Sequence, residues 1–317
     1  MEIDIVSLSE LHIPAIQTLM ALALREKGII GVRGVPDFEK KSQDYIQAAR
    51  EFAALPESIK QRYAPDRDAG KTEGYELGAE RFKNSRDEWQ IDDKKASFYA
   101  FVPDRPRNRW PTETPLREPY LALGTLMLEA GKKVITACGL AEIAGIDPDT
   151  LYGYGRMLHY QKTADTDLEN PDWCGAHLDH GIFTSLMPAY YFRDNEALDE
   201  PEEAGLFIVP TSSSTFEKAG ASDKSVMLFQ AGEFGQLAAN DHISGTRHIV
   251  KKARGNIERY TLALFLNPPD SLSVHPRSRL MEDARYQQNH LPDGSITYGA
   301  WSTASYDRYR VKPVTTA

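Results

Sequence analysis

Cysteine is almost missing from this sequence: among 317 residues there are two, Cys138 and Cys174. At most one disulfide can form. That excludes a small secreted scaffold held by bridges, and a reducing compartment fits better. Concentrated positive charge is missing too. The formal net charge is −9 and no long run of lysines or arginines occurs, which argues against a nucleic-acid partner or an anionic membrane surface. No stretch approaches the apolar length needed to cross a bilayer, so no membrane partner is expected. The opening residues, MEIDIVSLSE, place acids where a signal peptide carries positive charge ahead of an apolar core; a cytoplasmic location is the expectation. There is no internal repeat and no low-complexity segment. What remains, 41% hydrophobic and 26% charged residues, describes an ordinary globular chain of one or two units. Oligomeric state is left open, and a monomer is compatible with the composition.

Ile16, Leu19, Met20, Ala23 and Leu24 share one face at helical spacing, and Gly28 follows as a stop. GIIGVRGV then reads as a short strand. A second helix is expected from Asp37, as N-cap, to FAALPESIK, where Pro56 ends or restarts it. Residues 64–112 look loop-like, rich in charge, Gly and Pro. A third helix is expected from Leu116 to Gly139, with Leu123, Leu126, Met127, Ala130 and Val134 as its buried stripe. Near residue 150 the pattern becomes short alternating runs between turns, such as GIFTSLMPAYYF, GLFIVP, SVMLFQAG, TRHIVKK and RYTLALFLNPP, which predict a sandwich or jelly roll. The acidic RDNEALDEPEEAG and the Ser/Gly-rich TSSSTFEKAGASDKS read as surface loops. Past Pro269 the chain looks irregular.

Histidine is scarce, eight in all, yet two flank an aspartate in HLDHG. On a strand His177 and Asp179 project to the same side. An imidazole and a carboxylate so placed occupy adjacent positions around one metal ion. A second imidazole from another strand completes a set of two histidines and one carboxylate that leaves coordination positions open, as for non-haem Fe(II) that activates oxygen. The candidates are His242 and His248. His248 is favoured because it precedes the apolar pair Ile249-Val250, whereas His242 lies in the polar stretch NDHISG. Against this stands the ordinary reading of a His-x-Asp pair as a solvated hydrogen-bonded pair. His159 and His180 read as local hydrogen-bonders, and His12 and His275 as surface residues.

In ERYTLALF, Arg259 and Thr261 share a face while Tyr260, Leu262, Leu264 and Leu266 take the other. An arginine pointing into a barrel is costly without a carboxylate, and no nearby strand supplies an obvious one. A ligand carboxylate gripped by the guanidinium fork and the threonine hydroxyl accounts for it. The bland alternative is an arginine reaching solvent at the barrel mouth.

With H-x-D, a downstream histidine and R-x-T, the sequence resembles the iron- and 2-oxoglutarate-dependent oxygenases, in the branch of isopenicillin N synthase and the plant flavonoid and gibberellin oxygenases. The similarity runs from residue 1 to about 270, through IDIVSLSE, ALREKGIIGVRGV, FAALPESIK, GYELGAE, NRWP, GRMLHYQ, HLDHGIFTSL and GLFIVP. It implies a mixed α and β fold: a double-stranded β-helix (jelly-roll) core over 151–270, a helical N-terminal region of residues 1–150 packed around it, and a C-terminal extension over 271–317. It implies Fe(II) ligation by His177, Asp179 and His248, and the distal carboxylate of 2-oxoglutarate held by Arg259 and Thr261. Tyr160 falls where many members place a tyrosine that hydrogen-bonds this cosubstrate. The activity implied is O2-dependent oxidation of a small molecule, by default hydroxylation, with release of succinate and CO2. Tyr75 and Arg81 lie in a loop that approaches the mouth in relatives, and Phe183 and Phe265 are candidates for an apolar wall. The sequence departs from the family at Ile249, where many members have Arg, at Gln161, where proline is usual, and in its long Asp179–His248 gap. Two other readings stay open: a zinc hydrolase, though no H-E-x-x-H accompanies the pair and Arg259 has no task in it, and a non-catalytic sensor for a small acid.

Overall fold

A computed structural model describes residues 1–83, 89–163, 172–220, 223–283 and 291–306. The first half contributes strands β1 (Ile5–Ser7), β2 (Ile29–Arg33), β3 (Gly74–Leu77), β4 (Arg81–Lys83), β5 (Trp89–Ile91) and β6 (Lys95–Val102), with helices α1 (Pro14–Glu26), α2 (Phe38–Ala53), α3 (Glu57–Lys60), α4 (Arg117–Ala137) and α5 (Leu140–Ile143). The second half contributes β7 (Tyr152–Tyr160), β8 (Asp172–His177), β9 (Phe183–Leu186), β10 (Tyr190–Arg193), β11 (Glu196–Leu198), β12 (Gly205–Ile208), β13 (Glu217–Lys218), β14 (Met227–Ala231), helix α6 (Glu233–Ala238), β15 (His248–Lys251) and β16 (Ile257–Asn267).

These strands form a jelly roll. The larger sheet runs β1-β2-β14-β9-β16-β7-β6-β3, with the β10–β11 hairpin joined to β16; the smaller runs β13-β12-β15-β8. Apart from the parallel β1–β2 pair the main ladders are antiparallel. β16 organises the larger sheet. It pairs with β7 along its length, with β10 through Ile257–Tyr260 and with β9 through Ala263–Leu266. Its alternation is as expected: Tyr260, Leu262, Leu264 and Leu266 enter the core shared with the helices, while Arg259, Thr261, Ala263 and Phe265 line the space between the sheets.

Helix α4 lies across β7, β9 and β16, and α2 packs on α4. The approach is close enough that a Cβ on Gly131 of α4 would collide with Leu266; only glycine admits that contact. Within the first helix Leu19 is exposed, 36% accessible, so that stripe is one residue too wide, whereas Leu126 of α4 is half-buried and packs against the core. Asp37 does precede α2, but in a left-handed conformation (φ 60°) and without a side-chain cap bond. Pro56 restarts the helix as α3.

Residues 64–112 are not loop throughout. They hold β3 to β6, and all eight residues of β6, KASFYAFV, are buried. Both faces of β6 are covered, Phe98 under the helical layer and Tyr99 and Phe101 in a cavity, so the polar/apolar alternation that marks a half-buried strand is missing. The two expected surface loops also carry structure: the acidic one forms β11 and the Ser/Gly-rich one contains β13. The irregular tail contains a hairpin, Ser273–Val274 with Ile296–Thr297, and a helix, Tyr298–Tyr306, whose Trp301 packs on Phe234 with ring centroids 5.2 Å apart. No helix among the described residues is long and apolar enough to cross a membrane.

Candidate metal centre

β8 ends at His177, β15 begins at His248, and the two residues are direct cross-strand partners. A register shift just beyond them bulges β8, which re-aims the strand end. Asp179 follows where the ladder has stopped. Gly181, at φ +50°, then turns the chain into β9; a side chain there would meet Leu266 O and the Asn267 amide. That turn accounts for the glycine behind HLDH, because it brings Thr184 of β9 back to the aspartate. The Thr184 hydroxyl donates to Asp179 Oδ2 at 2.6 Å, and the Gln230 amide of β14 donates to the same oxygen at 2.9 Å.

With Oδ2 so engaged, Asp179 Oδ1 faces the imidazoles, 3.3 Å from His177 Nε2 and 3.7 Å from His248 Nε2. Each imidazole rests its Nδ1 on a backbone carbonyl, His177 on Gly175 O at 2.8 Å and His248 on Thr246 O at 2.9 Å. A carbonyl only accepts, so each Nδ1 carries a hydrogen and each Nε2 is the atom left to face the site. All three ligand atoms lie within 4.8 Å of one another, the one such group of His, Cys, Asp and Glu found among the described residues. The arrangement is a ready-made facial set of N, N and O donors.

Electrostatics within the cluster are strained towards a cation. Burial opposes charge on Asp179, but His248 and His177 outweigh it and hold the carboxyl well below its usual range. Burial pushes His248 down to about 4, aided by the neighbouring His177 charge. His177 is held well above its usual value despite burial, because Cys174 and Asp179 favour its imidazolium. A metal ion entering here takes the place of that proton. Cys174 is free, like Cys138, and its sulfur lies 3.3 Å from Lys95 Nζ.

Two cavities meet at this cluster. The inner one, about 70 Å³, runs between the sheets to Arg259. Arg259 is 7% exposed; its Nε donates to Tyr191 Oη at 3.2 Å, its guanidinium lies 4.9 Å from the Tyr160 ring centroid, and its Nη1 is buried without a hydrogen-bond partner. A carboxylate near it was missed in the sequence: Glu200, in the acidic insert, accepts from Tyr191 Oη at 3.1 Å and pairs with Lys218 at 3.1 Å. Glu200 therefore steadies one side of Arg259 through Tyr191 and leaves Nη1 facing the cavity. Thr261 lies on the same face, as alternation predicts, but its hydroxyl proton goes to Met187 O at 2.9 Å; donating to a ligand carboxylate requires exchanging that partner. Tyr160 is buried and lines the cavity.

The outer cavity, about 640 Å³, opens from His177 and Asp179 past Phe265 towards Arg81, Trp89 and the C-terminal helix. Lys95 and Arg156 line both spaces. They are bound into one ion network, Lys95 with Asp92 (2.6 Å) and Glu80 (3.0 Å), Arg156 with Glu80 (2.8 Å) and Ser97 (3.0 Å). Two expected wall residues lie elsewhere. Tyr75 is opposite Phe98 in the β3–β6 ladder, and partners share a face; its ring packs on Phe52 and its hydroxyl donates to Glu57, under the helices. Phe183 precedes Thr184, so when Thr184 faces the metal cluster Phe183 enters the helix-side core. His242 is exposed, His159 stacks on Tyr260 at 4.4 Å and His275 pairs with Asp293 at the surface.

No family model and no curated protein matches the chain. Solved structures do match, over nearly the whole length. A full-length Neurospora crassa protein in complex with alpha-KG superposes with a TM-score of 0.71 at 18% identity, covering 96% of each chain. A 2OG-Fe(II) oxygenase family protein from Caulobacter crescentus gives 0.72 at 18% identity, over 96% of this chain and 98% of that one. JOX2, in complex with 2OG, Fe and JA, gives 0.69 at 18% identity, over 94% and 83%. This chain has the 2OG-Fe(II) oxygenase fold. Within that fold the sequence could have revealed more than it did: Arg156 lies on the same face of β7 as Tyr160, two pairs further along, and Thr184 alternates with the misplaced Phe183.

Proposed function

We propose that the chain is an Fe(II)- and 2-oxoglutarate-dependent oxygenase acting on a small molecule. The observation that carries this reading is the meeting of His177, Asp179 and His248 at one end of a cavity whose other end is a buried arginine with an uncommitted Nη1. The residues fit the implied groups. Three neutral or anionic donors suit a ferrous ion and leave positions open, and the Arg259 fork suits a carboxylate. Neighbours of the same fold bind alpha-KG, or 2OG with Fe.

When bound, Fe(II), 2-oxoglutarate and O2 together supply oxidation of a C–H bond: R–H, 2-oxoglutarate and O2 become R–OH, succinate and CO2. The chain's part is placement. Thr184 and Gln230 hold Asp179 so that it offers a single oxygen. Gly175 and Thr246 fix the tautomers of the two histidines. Arg259, steadied by Tyr191, receives the distal carboxylate, and the apolar lining excludes water from that end. Hydroxylation is the outcome assigned here. A hydrolase reading finds no free carboxylate among the described residues to act as base beside the cluster, since Glu80 and Asp92 are both ion-paired. A sensor needs no complete ligand set.

Iron-dependent conversion of 2-oxoglutarate to succinate, followed with a metabolite library, tests the proposal; tight 2-oxoglutarate binding with no turnover under any condition would favour the sensor. Tyr191→Phe removes one hydrogen bond that the Arg259 guanidinium donates; because the cosubstrate feels only the looser placement of the fork, the loss is set at about 1 kcal/mol. The KM for 2-oxoglutarate is expected to rise about fivefold, with iron affinity unchanged; steady-state kinetics and anaerobic metal titration check both.

A further inference from the structure

The outer cavity carries information about what enters it. Five cationic side chains line it, Arg67, Lys71, Arg81, Lys95 and Arg156, in a chain whose net charge is −9. Three of these are matched: Lys95 and Arg156 by Asp92 and Glu80, and Arg67 by Glu76. Lys71 and Arg81 meet no carboxylate among the described residues. Arg81 is the more telling. Its guanidinium lies 4.4 Å from the Trp89 ring centroid, and its Nε is buried without a hydrogen-bond partner. A desolvated guanidinium donor is costly to leave unmade. A ligand anion in the cavity supplies the acceptor.

The rest of the wall is largely aromatic. Tyr99 of β6 and Tyr154 of β7 stack with centroids 5.5 Å apart and planes at 16°, and Phe101 continues the surface at 5.0 Å from Tyr154. A space of about 640 Å³ is ample for a ring system. An aromatic wall that already carries Arg156 over Tyr99 and Arg105 over Phe101, beside a guanidinium that meets no carboxylate among the described residues, matches an amphipathic anion better than a neutral hydrocarbon or a cation. Building on the oxygenase reading above, we propose that the substrate is a ring-bearing organic acid, seated on Tyr99, Phe101 and Tyr154, with its anionic group on Arg81 and Lys71.

The test is binding, not turnover. Protein loaded with Mn(II) and saturating 2-oxoglutarate under argon, so that the inner anion site is filled, is titrated calorimetrically with a panel of aryl- and cycloalkyl-acetic acids. The primary amide of each acid is titrated alongside. The expected result is at least one acid that binds tenfold or more tighter than its own amide, as a charge-assisted bond of about 1.5–3 kcal/mol implies. Arg81→Gln is expected to bring that ratio below about threefold, and Arg81→Lys to restore part of it. Retained Mn(II)-dependent 2-oxoglutarate binding shows that each variant is folded, and Lys71→Gln provides a second, smaller loss. Acids binding no better than amides, no acid binding at all, or a preference that survives Arg81→Gln would each overturn the substrate class. If 2-oxoglutarate itself binds without regard to Mn(II), the oxygenase reading fails instead, and the substrate proposal with it.

Discussion

Asp179→Ala is expected to lose more than about 100-fold in iron affinity and all 2-oxoglutarate turnover, while the fold survives. Removing a group that merely orients a metal ligand costs about 10–100-fold; here the anionic ligand itself goes, leaving two imidazoles. The consequences for stability are smaller. Thr184 and Gln230 each lose an acceptor, about 1–3 kcal/mol apiece. Against that, a buried carboxylate is no longer held between the strands, and a domain of ordinary stability, about 5–15 kcal/mol, absorbs the difference. Asp179→Asn keeps the shape without the charge and should fail at metal binding almost as fully. Anaerobic titration with Fe(II), alongside a thermal melt, separates the two effects. Wild-type iron affinity in either variant would remove Asp179 from the site.

Arg259→Ala is expected to raise the KM for 2-oxoglutarate by about 10- to 100-fold, as loss of a charge-assisted anchor of about 1.5–3 kcal/mol implies. The turnover rate at saturating cosubstrate should change little, because the anchor grips the carboxylate alike before and during the reaction. Iron binding without 2-oxoglutarate should not change. The larger end of the range follows from the environment of Arg259, which is buried, aligned by Tyr191 and Tyr160, and without another acceptor for Nη1. Tyr191 loses its Arg259 partner in the variant, while Glu200 keeps Tyr191 and Lys218. Arg259→Lys therefore serves as the companion, with an intermediate KM. An unchanged KM in Arg259→Ala would show that the cosubstrate carboxylate is held elsewhere.

The residues that proved legible were those whose chemistry is rare and whose position follows a two-residue period. His177 and Asp179 lie at the end of β8, and His248 opens β15 directly across the ladder. Arg259 and Thr261 were legible because the opposite face of β16 is uniformly apolar. The misplaced residues share a cause as well. Tyr75 is expected at the mouth from its loop in relatives and Phe183 as an apolar wall, but in a strand, neighbours point to opposite faces, and a shift of one residue exchanges cavity for core. β6 was hidden because both its faces are covered and its buried Lys95 looks like a surface charge. Glu200 was hidden because an acidic insert reads as solvated, and nothing local says that a hairpin folds it back to Tyr191.

Anaerobic binding of radiolabelled 2-oxoglutarate by the wild-type chain and by His248→Ala, each with and without Fe(II), tests the three-residue site most directly. The account predicts one Fe(II) and one 2-oxoglutarate per wild-type chain, the second bound tightly only when the first is present, and both lost in the variant. Iron affinity undiminished in His248→Ala, or 2-oxoglutarate binding indifferent to iron, would contradict it.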